Sequence, residues 1–245
     1  MRFLNYLFAG CLLSLPCTAM ALDGKTILQK VDRNLEPESY ESYRKLINIE
    51  PNNSRKEFVI YSVKSGRDKI VTLFLSPASD KGRTTLRQGD NMWLYIPNVG
   101  KPIRITSLQS VTGGVFNNAD IMRVDYAEEY DVANIVEEND AYLLTLKAKS
   151  TSVAYDQLKM TVDKSLLLPR EIEAYASSGM LIKTLHFKDL KDFGDGIKRP
   201  ATIETDSPLY KGFRSVMLYS GLKKREVSED VFTLGFMSRI EELRK

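Results

Sequence analysis

From Tyr43 onward, apolar and polar residues alternate with the two-residue period of β-strands, in short segments divided by turn residues. Tyr43, Lys45, Ile47 and Ile49 fall on one face of the first segment, and Arg44, Leu46 and Asn48 on the other. Pro51-Asn52-Asn53-Ser54 then supplies a turn, Phe58 to Val63 a second strand, Ser65-Gly66-Arg67-Asp68 another turn, and Ile70 to Leu75 a third strand. This reads as an antiparallel meander. Further strands are expected at Met92 to Ile96, Ile103 to Leu108, Tyr142 to Leu146, Leu158 to Val162 and Glu171 to Tyr175. Leu181 to Phe187, Thr202 to Thr205 and Phe213 to Tyr219 complete the series. Ahead of the strands, Ile27, Leu28, Val31 and Leu35 form one stripe of a helix that Asp23 caps and Glu36-Pro37-Glu38 ends. A last helix, capped by Ser228, is expected to carry Phe232, Phe236, Ile240 and Leu243, with Gly235 weakening it.

Many of these strands are apolar on both faces: Ile60 beside Tyr61, Val71 and Phe74, Trp93 beside Leu94. A sheet with one wet face alternates more cleanly. Both sides must therefore be covered, by helices, by a fully packed core, or by an apolar ligand held in a cavity. The pattern leaves these alternatives open. It sets the fold class as mainly β with some α, built on one antiparallel sheet large enough to curl.

The N-terminus changes the compartment. Arg2, the apolar run Leu7 to Leu15 and Ala19-Met20-Ala21 have the form of a cleavable secretory signal over residues 1–21. A single domain, 22–245, follows. Lipid attachment at Cys11 competes, but cleavage there leaves only Phe3 to Leu7 as apolar core, and Pro16 is a poor neighbour for a modified Cys17. Both cysteines fall in the expected leader, so the mature chain has no disulfide and no thiol chemistry. Without Arg2 the formal charge of +3 becomes +2, with both signs interspersed, which gives no footprint for nucleic acid.

Catalytic equipment is sparse. The one histidine, His186, sits in an expected strand, and no Gly-x-Ser-x-Gly elbow or cluster of zinc ligands accompanies it. No enzyme, cofactor or metal is expected. Asp120, Asp125, Glu128, Glu129 and Asp131 crowd one stretch without the spacing of a calcium loop, and read as an exposed acidic helix end or loop. Asp189, Asp192 and Asp195 read as a connection between strands, and Lys223-Lys224-Arg225 as a solvated strand end.

One group of motifs is more specific in order than in any single member. Leu75-Ser76-Pro77-Ala78-Ser79-Asp80-Lys81-Gly82-Arg83 precedes Trp93-Leu94-Tyr95-Ile96-Pro97 and Arg104-Ile105. Gly114-Val115-Phe116-Asn117-Asn118-Ala119-Asp120-Ile121 comes next, then Leu167-Leu168-Pro169-Arg170 and Ser178-Gly179-Met180-Leu181-Ile182-Lys183-Thr184. From about Ile27 to Phe232 this resembles the lipoprotein-carrier superfamily of the bacterial envelope, the LolA/LolB group and its LolA-like branch. The resemblance implies an unclosed half β-barrel around a hydrophobic cavity, with a helical lid. It implies a monomeric periplasmic carrier of lipid or lipoprotein acyl chains, served by an inner-membrane transporter and an outer-membrane acceptor. Phe58, Ile60, Leu73, Trp93, Tyr95, Phe187 and Met217 are then candidate cavity residues, and Ile27, Val31, Phe116, Ile121 and Met122 candidate lid residues. A slip of one residue in strand register reverses every inward assignment. The alternative is an envelope sensing or protein-interaction module on the same fold.

Overall fold

The computed structural model describes residues 23–110 and 112–244. The expected export signal, with Cys11 and Cys17, lies outside them. Helix α1 (Gly24–Leu35) starts where the Asp23 side chain accepts from the Thr26 amide at 2.9 Å, and it buries Ile27, Leu28, Val31 and Leu35 as its stripe predicts. Thirteen strands follow. They are β1 (Tyr40–Ile49), β2 (Arg55–Ser65), β3 (Lys69–Ser76), β4 (Thr84–Gln88), β5 (Asn91–Tyr95), β6 (Ile103–Ile105), β7 (Tyr130–Glu137), β8 (Ala141–Ala148), β9 (Gln157–Asp163), β10 (Leu168–Tyr175), β11 (Leu181–Asp192), β12 (Lys198–Asp206) and β13 (Arg214–Lys224).

All thirteen join one sheet in the order β6-β5-β4-β3-β2-β1-β13-β12-β11-β10-β9-β8-β7. Each neighbouring pair is antiparallel. Strands β6 and β7 are the two edges and do not pair with each other, so the sheet curls without closing. The chain between them crosses the concave side and carries two single-turn helices, α2 (Asn118–Ile121) and α3 (Tyr126–Glu129). Helix α2 is fixed by a capping box in which the side chains of Asn117 and Asp120 each accept from the other's backbone amide.

The two apolar faces have two different covers. On the concave side Phe58, Ile60, Phe74, Met92, Leu146, Ile172 and Met217 pack with the α1 stripe and the α2–α3 segment. On the convex side Tyr61, Val63, Val71, Leu73 and Leu86 pack beneath a C-terminal strap containing Val231, Phe232, Met237 and Ile240. That strap is two 3₁₀ segments, Glu229–Phe232 and Leu234–Arg244, and not the expected α-helix. In the second segment the buried residues Met237 and Ile240 stand three apart, the spacing that a 3₁₀ turn stacks on one side.

Two strands escape the apolar pattern. Thr84-Thr85-Leu86-Arg87-Gln88 has little contrast but forms β4 because β3 and β5 flank it on both sides. Strand β7 begins inside the acidic stretch and is stabilised by pairing with β8. Strand β6 stops at Ile105, short of the expected Leu108, where the chain leaves to cross the concavity.

Candidate functional site

Between the sheet and the α2–α3 segment lies a cavity with a free volume of about 40 Å³. Its floor is apolar: Leu158, Ile172, Ala174, Leu185, Phe187, Ile203 and Met217 project from β9 to β13. Its roof is mixed, with Leu35 from α1 and Phe116, Ala119, Asp120, Arg123, Tyr126 and Glu129 from the crossing segment. Arg199 and Tyr219 close one side, the guanidinium lying 3.9 Å from the centre of the tyrosine ring. Ligand pockets for small molecules are typically about 300–1,000 Å³, so the space here is nearly filled.

The crossing segment is held both by apolar packing of Phe116, Ile121, Met122 and Val124 and by charge. Lys183 on β11 meets Asp120 at 2.8 Å, and Lys64 on β2 meets Asp125 at 2.6 Å. Arg87 on β4 pairs with Glu129, and Arg33 on α1 pairs with Asp125. Arg123, on the crossing segment itself, reaches Asp32 at 3.3 Å and Glu36 at 2.8 Å, both at the end of α1. Glu36 also meets Arg199 at 3.2 Å. Arg44 on β1 donates to the Ile121 carbonyl at 2.9 Å and to the Ser62 hydroxyl at 2.6 Å. Asp32 accepts from the Tyr126 and Ala127 amides at 2.8 and 2.9 Å, so α1 anchors the start of α3.

Burial sets the protonation of these groups. Burial raises the Asp32 carboxyl even though Arg123 and two amides oppose it. Burial acts on Glu36 in the same direction, yet Arg123, Arg199 and Lys64 outweigh it and hold the carboxyl at about 2. The ammonium of Lys64 is lowered to about 8, first by loss of solvent and then by the nearby guanidiniums, against the pull of Glu36. Breaking one partner of such a buried pair leaves an uncompensated charge, a cost of about 3–5 kcal/mol.

This corrects the reading of the acidic stretch as an exposed helix end. Asp120 and Asp125 are buried and Glu129 is nearly so, each facing a cation from the sheet. Only Glu128 and Asp131 remain open to solvent. The basic run at Lys223 is likewise not wholly solvated, since Lys223 and Arg225 both pair with the buried Glu41. Among the described residues no group of three or more His, Cys, Asp or Glu side chains is set to hold a metal ion, and no helix is long and apolar enough to cross a membrane.

Of the sequence-predicted residues, Phe187, Met217 and Phe116 line the cavity. Phe58, Ile60, Ile27, Val31, Ile121 and Met122 share the concave cluster but pack around the cavity without lining it. Leu73, Trp93 and Tyr95 face the convex side, against the C-terminal strap. Their strand phase decides this, because Met92 on β5 and Phe74 on β3 take the inward positions. The inward cations Arg44, Lys64, Arg87, Lys183 and Arg199 were missed. Arg44 is in phase with Leu46, and Lys64 with Phe58 and Ile60, and a charge on an otherwise apolar face was the available signal.

Residues 66–239 match a protein family described as "Uncharacterized protein". No curated protein matches the chain. A LolA superfamily protein from Nitrosomonas europaea is 27% identical, with a TM-score of 0.80 over 88% of this chain and 100% of that one. The chain belongs to the LolA-like superfamily. A structure from Vibrio parahaemolyticus, assigned as an outer membrane lipoprotein-sorting protein domain, shares this LolA-like fold at 21% identity, TM-score 0.74, covering 88% and 98%. A DUF1329 family protein from Desulfovibrio piger shares it at 22% identity, TM-score 0.74, covering 87% and 97%.

Proposed function

We propose that the mature LolA-like chain, residues 22–245, is a non-enzymatic, monomeric periplasmic carrier that shields acyl chains of a lipid or lipoprotein during transfer through the envelope. The observation that carries this reading is the construction of the lid. An apolar floor contributed by five strands is roofed by a short segment fastened by ion pairs and capped turns as well as by apolar packing. When the lid lifts its ion pairs regain water, which offsets part of the cost of exposing Phe116, Ile121 and Met122. Each methylene buried beneath it returns about 0.8 kcal/mol, so a long acyl chain supplies the energy to part the lid from the floor. An inner-membrane transporter and an outer-membrane acceptor are the partners such a carrier requires. The name of the Vibrio parahaemolyticus neighbour agrees with that role.

A free volume of about 40 Å³ favours a second reading, a packed sensing or protein-interaction module on the same fold. Mass spectrometry of the purified mature protein, native and then after organic extraction, separates the two. A stoichiometric lipid or acylated peptide supports the carrier. A bare mass that persists after incubation with envelope lipids rejects it in favour of the module.

A further inference from the structure

The two ends of the sheet differ in chemistry. Strand registers place the turns 50–54, 77–83, 96–102, 176–180 and 207–213 at one end, beside Ile49, Arg214 and Tyr175. The stretch entering the lid joins this end: Ser107 donates to the Ser152 carbonyl at 3.1 Å, and Asn48 to the Thr112 carbonyl at 2.9 Å. Six of the large apolar side chains that face solvent lie at this end: Val99, Ile103, Leu108, Met180, Leu209 and Tyr210. Leu108 and Tyr210 are 59% and 58% exposed.

The charge at this end leans basic, with Glu50 and Asp80 against Lys81 and Arg83 in turns 50–54 and 77–83. Segments 96–102, 106–115, 176–180 and 207–213 contain no aspartate or glutamate, and their only charged residues are Lys101 and Lys211. The opposite end carries Glu38, Asp68, Asp90, Glu138, Asp140 and Asp195 against Arg67, Lys164 and Arg225. The chain is thus polarised, with an apolar, weakly basic rim at one end and an acidic rim at the other.

We infer that the rim bearing Leu108, Leu209 and Tyr210 docks on an anionic phospholipid surface. The apolar side chains are spread over four loops and the start of β6, with Leu209 and Tyr210 sharing one loop, and Leu209-Tyr210-Lys211-Gly212 and Val99-Gly100-Lys101-Pro102 repeat one arrangement of apolar tip, lysine and turn residue. Dispersed apolar tips enter a fluid headgroup layer one by one, tyrosine favours that interface, and lysine ammoniums meet lipid phosphates. A rim on which Lys81, Arg83, Lys101, Lys149 and Lys211 outnumber Glu50, Asp80 and Asp156 complements negative surface charge. The inference goes beyond carriage of a cargo, and it holds whether or not the cavity is ever loaded.

The test is co-sedimentation of the mature protein with vesicles of phosphatidylethanolamine containing roughly a quarter phosphatidylglycerol, an anionic fraction within the range where lysines bind. Binding is expected, weaker on phosphatidylcholine vesicles and weakened by salt. Replacing Leu108, Leu209 and Tyr210 together by Ser should cut it at least tenfold. Lys101→Glu with Lys211→Glu should cut it by more than the roughly fivefold worth of each lysine. All five side chains are surface groups, so the melting temperature should hold. Leu166→Ser with Leu190→Ser, toward the acidic end, is the control and should bind as wild type. No sedimentation of the wild type, equal loss in the control, or loss of binding to a protein partner alone overturns the inference. Native mass spectrometry of the rim variants separates it from the carrier reading, because their cargo content should match the wild type.

Discussion

Lys183 on β11 lies 2.8 Å from Asp120 on α2, and both side chains are almost wholly buried. Asp120 also accepts from the Tyr155 hydroxyl at 2.9 Å, so one lid carboxylate ties α2 to the sheet and to the β8–β9 loop. Asp120→Asn keeps the shape and removes the charge. It should destabilise the chain by about 3 kcal/mol, since Lys183 is then buried without its counter-ion. Hydrogen exchange should show residues 115–122 opening more readily while β1 and β2 keep their protection. Uniform exchange across lid and sheet would mean that this pair supports the fold and does not act as a latch.

Glu36 connects α1, the lid and β12 through Arg123 at 2.8 Å and Arg199 at 3.2 Å. Its carboxyl sits at about 2 in the folded chain against 4.5 when free. Because the folded value is depressed, the stabilisation is complete above pH 4.5 and is lost as the pH falls through 2. Glu36→Gln should therefore be less stable at pH 6, and the gap in melting temperature should shrink toward pH 2. A gap that stays constant across that range would exclude the ionised carboxylate as its source.

Lys64 gives the opposite limb. It faces Asp125, Glu36 and Asp32 together with the cations Arg33 and Arg123, and its folded value is about 8 against 10.5. Between those values the unfolded chain holds more protons, so the Lys64 contribution to stability rises with pH. Compared with Lys64→Met, the wild type should gain in melting temperature from pH 8 to 10 and show no such gain from pH 6 to 7.5. A flat difference across pH 8 to 10 would mean that Lys64 stays charged when folded.

How legible the fold was depended on what each element asks of its sequence. The meander β1 to β3 was plain because Leu46, Ile60 and Phe74 recur in phase between turns. The α1 stripe was plain for the same reason at helical spacing. Strand β4 was hidden because its stability comes from two neighbours and not from its own Thr84 and Thr85. The cavity was only half legible. Of the candidate linings, Phe187 and Met217 border the concave space, whereas strand phase turns Trp93 and Leu73 to the convex side. The acidic stretch was misread because its partners, Lys64, Arg87 and Lys183, lie far away in sequence and meet it only after the sheet has curled.

Gly114 sits where the lid segment passes β1. A Cβ there would stand 2.0 Å from the Asn48 side-chain oxygen. Asn48 cannot swing aside cheaply, because it donates to the Thr112 carbonyl and accepts from the Ser215 hydroxyl. Gly114→Ala should cost about 1–3 kcal/mol by overpacking. Asn48→Gly in the same chain should recover part of that cost by clearing the space. Full stability of Gly114→Ala alone would show that the lid root adapts freely.

Ala174 is buried on β10 and faces the cavity beside Ile172 and Leu185. Its small side chain leaves the room that an acyl chain would need once the lid lifts. Ala174→Phe fills that room from the floor, at a cost of about 1–3 kcal/mol in a well-packed interior. If the cavity carries lipid, the variant should still fold and still bind vesicles through its rim, while native mass spectrometry finds it empty. The convex-face substitution Leu73→Ala should reduce stability by about 2–5 kcal/mol and leave loading per folded molecule unchanged. Should the Phe variant load as well as the wild type, the acyl chain lies elsewhere, and the groove beside Leu73 and Tyr95 under the C-terminal strap becomes the place to look.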